Sequence, residues 1–429
     1  MDVIEIGTLP LLSDMGFVCG RDDTRPFAER VFAEGAPRFL RDPDGGLVVF
    51  RNADLQTLGA MPQIGSVPPG VLFGDSFTRM DYPAPPPGAE IARVVANQVF
   101  TANAPLHRPL RKAFVARLGP RQVAEMEPTA RAAARHVLDH LDLSGEVEVM
   151  SQIAERLTCH FWGRMLSMDA VEIGAMEGFT RELTRLFYLQ RSLDDYTALD
   201  TAMQGYWNTI RAAAKRCVAR GDDAFVTALA EDLAQIDLPD DPDVAGVVPR
   251  DVGALIAGNL IQGYHTAALA AANTLYALLR HPGALRRIIS DRHLVTSAIF
   301  EALRIEPPVI QLPRWALEDV VIENVRVPRG SVVTLMWGIG GLDPGVFPEP
   351  FRFDLDRSRR GSTTFGGGLH ICPGRYAAVM LVEVLLDELL ARGLVPTAGT
   401  EEPSWYRAHV MGQMQRFPAR FTPIMEGVA

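Results

Sequence analysis

The sequence predicts a mainly α-helical protein with a small β portion (α+β), folded as one large domain over residues 1–429. Three observations carry this. Apolar residues recur at three- and four-residue spacing through most of 105–305. Within that region, Val252 to Leu279 carries no Asp, Glu, Lys or Arg. Beyond Ile305 the texture changes to short β-like runs such as Val320-Val321-Ile322 and Ser331-Val332-Val333-Thr334-Leu335. The α-rich parts are expected at about 100–305 and 374–392, and the β-rich parts at about 35–75, 305–340 and 393–425.

Along the chain, Gly45-Gly46 before Leu47-Val48-Val49-Phe50 reads as a turn into a strand. Residues 81–88 hold four prolines among Asp81, Tyr82, Ala84 and Gly88, a composition that excludes a helix interior. Helices are expected over 122–142, 149–168, 171–188 and 195–220. Pro239, Pro242 and Pro249 then break the pattern. The uncharged stretch that follows is long enough to cross a bilayer. Its middle, however, holds Asn259, Gln262, Tyr264, His265 and Thr266, which are costly at mid-membrane depth. A long helix buried on all sides within a soluble protein fits better. A turn-rich segment at 341–368 precedes one more amphipathic helix over about 375–392, and no repeat or low-complexity linker appears.

Forty-two basic against 52 acidic residues give a net charge of −10, and Lys112 and Lys215 are the only lysines. That balance argues against nucleic acid and against an anionic membrane surface as partners. With 48% hydrophobic and 22% charged residues, the chain is not of disordered composition. Cys19, Cys159, Cys217 and Cys372 are widely spaced with no Cys-x-x-Cys pair, so neither a disulfide framework nor a zinc knuckle is expected. The first residues, Met1 to Ile6, show neither a basic n-region nor a long apolar core. A cytoplasmic location follows as the expectation.

Of the four cysteines, Cys372 has the neighbours of a reactive one. It sits in Phe365-Gly366-Gly367-Gly368-Leu369-His370-Ile371-Cys372-Pro373-Gly374-Arg375. The glycines permit a tight loop and close approach by something flat, and Gly374 opens a helix whose N-terminal dipole favours a thiolate. A thiolate on such a loop suits an axial ligand to a haem iron. Phe365-x-x-Gly368-x-x-x-Cys372-x-Gly374 resembles the haem-thiolate signature of the cytochrome P450 family. Three further matches follow the family's order. Glu301-x-x-Arg304 shares one helical face, and the resemblance completes it with Arg357 as a structural lock. His107-x-x-x-Arg111, with Arg314 and His370, is implied to hold the haem propionates, since carboxylates entering a protein need cationic or hydrogen-bonding donors. Gln262-Gly263-Tyr264-His265-Thr266-Ala267 is similar to the oxygen-activating segment, with Gly263 implied to distort the helix and Thr266 to offer a hydroxyl to dioxygen or water. The likeness runs in motif order from about residue 100 to 380.

The chain departs from the family pattern at three places. His265 stands where the family has Asp or Glu, and Ala267 follows the threonine. Histidine, with an ordinary pKa of about 6.5, can relay protons but supplies no negative charge. Three readings stay open: a relay through His265, a His265–substrate contact, or a bond from His265 to its own helix. Pro373 has no N–H to donate to the cysteine sulfur, which leaves that sulfur more electron-rich. Gly341-Leu342 stands where an Asn-Arg pair commonly precedes Asp343-Pro344.

The resemblance implies a haem b monooxygenase of the soluble bacterial type. It would insert one oxygen atom of O2 into a C–H bond of a hydrophobic small molecule, with electrons from a separate ferredoxin and ferredoxin reductase. A peroxide-driven haem-thiolate peroxygenase and a non-catalytic haem sensor or carrier are the alternatives. The pocket is expected to be lined by the 75–100 loop, Ile261 to Thr266, Val309 to Leu312 and the Val410–Met414 turn. Arg108, Lys112 and Arg375 are expected to meet an acidic partner on the cysteine side. His136 and His140, four apart on a helix, lack an evident third metal ligand and read as an exposed face. Gly74-Asp75-Ser76 lacks the partners of a serine hydrolase and reads as loop.

Overall fold

The computed structural model describes residues 3–424, apart from 75, 77, 78, 80–82, 84, 189, 222, 223 and 237–250. Pro239, Pro242 and Pro249, Asp75 and part of the 81–88 segment therefore lie outside the described residues.

The uncharged stretch forms one α-helix, Val252–Arg280, and 22 of its 29 residues are buried. Asp251 starts it by accepting the Ala254 amide at 2.9 Å. Its run of alanines from Ala267 to Ala272 presents little side-chain bulk, so neighbours pack close on every side. Those neighbours are Leu193–Arg220, Glu155–Met165, Val295–Ile305 and Arg375–Ala391. No described helix is long and apolar enough to cross a membrane. One apolar core surrounds this axis, reaching from Ile91 to Phe421.

The helices stand close to where periodicity puts them: Pro120–Asp139, Glu155–Met165, Ala170–Glu182, Leu193–Arg220 and Arg375–Ala391. Differences lie at their ends. The helix expected from 149 opens with a π-turn at Met150–Ala154, and the one expected to reach 188 tightens to a 3-10 turn at Leu183–Phe187. The β portion holds a five-stranded sheet in the order Leu40–Arg41, Leu47–Val49, Val332–Leu335, Leu312–Ala316 and Ile64–Gly65. Thr24–Val31 and Asn52–Ala60 are helices, the second inside the region expected to be β-rich. Glu146–Glu148 is a strand inside the helical half, because Pro418–Arg420 pairs with it.

The turn-rich segment is held from below by a buried charge cluster. Arg304 clamps Glu301 through Nε at 2.8 Å and Nη2 at 2.7 Å, and Arg357 Nε joins the same carboxylate at 2.9 Å. The Asp354 amide also donates to Glu301, at 3.0 Å. The remaining guanidinium donors reach carbonyls of Gly341, Pro348, Glu349, Pro350 and Arg352. The glycine that departs from the family pattern at 341 thus takes part through its backbone oxygen.

Glu301 and Arg304 are 4% and 5% exposed, so removing one partner strands buried charge. Glu301→Gln is expected to lower unfolding free energy by about 3–5 kcal/mol in urea titrations. A loss below about 1 kcal/mol would show that the cluster is not integral to the fold.

Candidate active site

Cys372 lies on a loop whose backbone only glycine tolerates at two points. Gly366 and Gly368 have φ of +71° and +62°. A Cβ on Gly368 would lie 1.9 Å from the Gly59 carbonyl oxygen, so the loop rests directly on the Asn52–Ala60 helix. The Cys372 amide closes the loop on the Phe365 carbonyl at 2.9 Å, and Phe365 packs edge-on against Phe300. Gly374 caps the Arg375–Ala391 helix. Burial raises the Cys372 thiol above its ordinary range, while the N–H groups of Gly374 and Arg375 and the cations Arg375 and Arg111 pull it back. The sulfur's backbone donors come from the two residues after Pro373, which has no N–H to give.

The loop faces a cavity whose wall brings together nine of the expected residues: Cys372, Phe365, His370, Gly374, His107, Arg111, Arg314, Gly263 and Thr266. Elsewhere the wall is mostly apolar, with Phe114, Trp162, Leu260, Ala267, Ala270, Val309 and Leu312. The His107 and His370 rings lie 4.1 Å apart, and Arg111 Nη2 donates to the Ile371 carbonyl beside the cysteine. Arg314, on strand Leu312–Ala316, is 4% exposed and sits 4.8 Å over the Phe100 ring. Among the described residues its guanidinium has one hydrogen bond, Nη1 to the Pro313 carbonyl at 3.1 Å.

This corner holds positive charge that no described carboxylate balances. Burial lowers Arg314 to about 10. Burial, then Arg111 and Arg314, hold His107 at about 4, and burial, Arg314, His107 and Arg111 hold His370 at about 3. His107 Nε2 is buried without a partner. A ligand with carboxylates at this end would satisfy all of these groups.

Several expectations are corrected. His265 does not line the cavity. Its ring is 4% exposed, stacks on Phe187 at 4.9 Å and shares a hydrogen bond with Gln413 Oε1, not with its own helix. Gly263 does not interrupt the helix, which is α throughout Val252–Arg280, and the Thr266 hydroxyl donates to the Gln262 carbonyl at 2.7 Å. Gly368 packs on Gly59 instead of facing the cavity. The Val410–Met414 turn is also absent from the wall, because Met411 pairs with Val309 behind it. Among the described residues of the 75–100 stretch, Gln98, Val99 and Phe100 contribute, and Ile261 does not. Sequence reasoning missed Gln98, which carries no motif, although Asn259 and Gln262 opposite it stood out as polar breaks in an apolar helix.

Away from the cavity, His136 stacks with His140 and with a third histidine, His160, at 4.3 and 4.4 Å. His160 Nε2 pairs with Glu177 at 3.1 Å. Among the described residues no group of side chains is arranged to hold a metal ion. Cys19, Cys159 and Cys217 are buried, and among the described residues none is joined in a disulfide.

Burial lowers His265 to about 4, against the Gln413 bond that raises it. An unfolded chain binds that proton near pH 6.5, so this group stabilises the fold above 6.5 and loses its contribution as pH falls toward 4. Between pH 7 and 5 the loss is expected to be about 2 kcal/mol. Urea midpoints at the two pH values should converge in His265→Gln relative to wild type, and an unchanged difference would assign the acid sensitivity elsewhere.

Comparison with known proteins follows this geometry. A family model described as Cytochrome P450 matches residues 83–406. The vitamin D(3) 25-hydroxylase of Pseudonocardia autotrophica is 27% identical over 91% of this chain and 92% of its own length. The 6-deoxyerythronolide B hydroxylase of Saccharopolyspora erythraea is 26% identical over 77% of this chain and 80% of its own. Among solved structures, epothilone B-bound Cytochrome P450epoK aligns with a TM-score of 0.79 over 94% of this chain and 98% of that one, at 19% identity, which shows a shared fold.

Proposed function

The chain belongs to the cytochrome P450 family of haem-thiolate monooxygenases, and on that premise we propose that Cys372 is its axial ligand. We further propose that its substrate is a hydrophobic small molecule oxidised at a C–H bond, with electrons from a separate ferredoxin and its reductase. The observation that carries this reading is the convergence of Cys372, the unbalanced Arg314 and the unpartnered His107 Nε2 on one apolar cavity.

The residues fit haem b. His107, Arg111, Arg314 and His370 would hold its two carboxylates, and Cys372 Sγ its iron. When bound, the haem supplies the activation of dioxygen. The N–H groups of Gly374 and Arg375 hold the sulfur's charge. Trp162, Leu260, Val309 and Leu312 exclude water and orient an apolar substrate. Thr266 Oγ1 gives its own proton to the Gln262 carbonyl, so its lone pairs accept from a cavity water and hold that water's proton in the wall. His265 acts as a positioning residue that ties the central helix to the chain at Gln413. The names of the relatives, for vitamin D(3) and 6-deoxyerythronolide B, support a bulky apolar substrate.

A second reading, turnover driven by hydrogen peroxide, is favoured by one observation: among the described residues no carboxylate lines the cavity. Product formed with peroxide as fast as with ferredoxin and NADH would select it.

The reduced, carbon-monoxide-bound absorption spectrum tests the main reading. A strongly red-shifted Soret band is expected in wild type and is lost in Cys372→His. A band at the ordinary haem-protein position in wild type would overturn it.

Arg108 and Lys112 are exposed on the helix His107–Arg117, whose other face carries His107 and Arg111. Arg375 is tied into the cysteine loop, with Nη1 on the Cys372 carbonyl at 2.9 Å and its guanidinium over Tyr376. The proposed docking charge therefore rests on the first two. Arg108→Glu with Lys112→Glu is expected to raise the KM for ferredoxin about tenfold at low salt, with the carbon monoxide spectrum intact. An unchanged KM would remove this docking face.

A further inference from the structure

The backbone before Phe100 lies directly on the central helix. A Cβ on Gly258 would fall 2.3 Å from the Asn97 carbonyl oxygen and 3.0 Å from the Gln98 nitrogen, so glycine is what permits the contact. One residue on, Asn259 Oδ1 accepts the Val99 amide at 3.1 Å, and its Nδ2 reaches the Asn97 carbonyl at 3.4 Å. Thr101 Oγ1 bonds the Gln98 carbonyl from the other side at 3.1 Å. The main chain on both sides of Gln98 is therefore fixed, and its side chain is held at the cavity wall.

That side chain is unusual for its surroundings. Gln98 is 2% exposed, and its neighbours in the wall include Val99, Phe100, Ile256 and Leu260. Its Oε1 accepts Gln262 Nε2 at 3.2 Å, whereas its own Nε2 has no hydrogen-bond partner among the described residues. Buried amide donors are nearly always paired, and one left unpaired in an apolar wall is costly. Gln262 occupies the acceptor end, so what remains is a donor. Among the described residues no charged group bonds either amide. The Thr266 hydroxyl bonds the Gln262 carbonyl, so Gln262 and Thr266 stand one helical turn apart on the same wall.

We propose that Gln98, oriented by Gln262, is a substrate-recognition donor, and that the substrate is an apolar molecule carrying an uncharged hydrogen-bond acceptor, a carbonyl, ester or hydroxyl oxygen. This rests on the monooxygenase reading and names the substrate chemistry of that same cavity. Apolar walls discriminate weakly between molecules of similar shape, whereas a buried donor selects against a ligand that leaves it unpaired. Gln98 and Gln262 thus set specificity and regiochemistry, while Thr266 and Cys372 serve the reaction.

The test uses haem-loaded protein and two matched probe pairs, cyclododecanone with cyclododecane and 4-phenylcyclohexanone with phenylcyclohexane. Affinities are read by absorbance titration of wild type, Gln98→Leu and Gln98→Met, the last preserving side-chain length should leucine disturb the fold. The ketone-to-hydrocarbon affinity ratio is expected to be about tenfold higher in wild type than in either variant, cancelling the solubility difference between probes. Gln262→Leu, which frees the Gln98 amide to rotate, should lower the ratio partway. Equal ratios in wild type and the Gln98 variants overturn the proposal, as does failure of both ketones to bind wild type more tightly than their hydrocarbons. With the red-shifted carbon monoxide band intact, either result sinks this inference alone; loss of that band in wild type sinks the haem-thiolate reading instead.

Discussion

An uncharged helix buried on nearly every side is the constraint on which the rest of this molecule depends. Each face of Val252–Arg280 does a separate job, set by a step of about 100° per residue. Gln262, Gly263, Thr266, Ala267 and Ala270 fall on the cavity side. Gly258 and Asn259 receive the chain before Phe100. His265 turns toward Phe187 and Gln413, and Asn273 donates to the Glu306 carbonyl at 3.0 Å. With so little room, the helix positions segments far apart in sequence by steric fit, and its few polar groups are the ones that register them.

Buried charge occurs in two settings that differ in what completes them. Around Glu301 every guanidinium nitrogen of Arg304 and Arg357 finds a carboxylate or carbonyl within the chain, so the cluster closes on itself and fastens the turn-rich segment. At the cavity, Arg314 is as deeply placed and the Nε2 of half-buried His107 is sealed from solvent, yet among the described residues neither finds such closure. The first arrangement is architecture. The second has the signature of a site that awaits a dianionic partner, and the low pKa of both its histidines reflects burial among cations with no counter-charge. Gln98 belongs to the same class in neutral form, since its polar end is likewise unsatisfied by the protein.

Much of the site was legible in the chain because it rests on short-range patterns. The cysteine loop needs glycine where φ is positive, and those positions are adjacent in sequence. Glu301 and Arg304, like His107 and Arg111, share helix faces by spacing alone. His265 was misplaced for a reason visible in retrospect: two residues from Gly263 it lies about 200° around the helix, away from the face that Gly263 and Thr266 share. The resemblance had drawn it toward the chemistry against its own periodicity. The strand Glu146–Glu148 and the π-turn after it could not be read locally, because both arise where Pro418–Arg420 pairs with a short segment.

The family resemblance supplied the cations beside the cysteine loop, while the sequence by itself determined the mainly helical class, the buried central helix and that loop. Each depends on composition or on spacing within a few residues, where backbone geometry leaves little choice. Only the tertiary structure decided that His265 faces Phe187 and Gln413, that Arg375 bonds the cysteine carbonyl, and that Gln98 meets Gln262 across 164 positions of chain with one donor to spare among the described residues. Those outcomes depend on which surfaces remain once the core has closed, and no local pattern specifies what a side chain will face there.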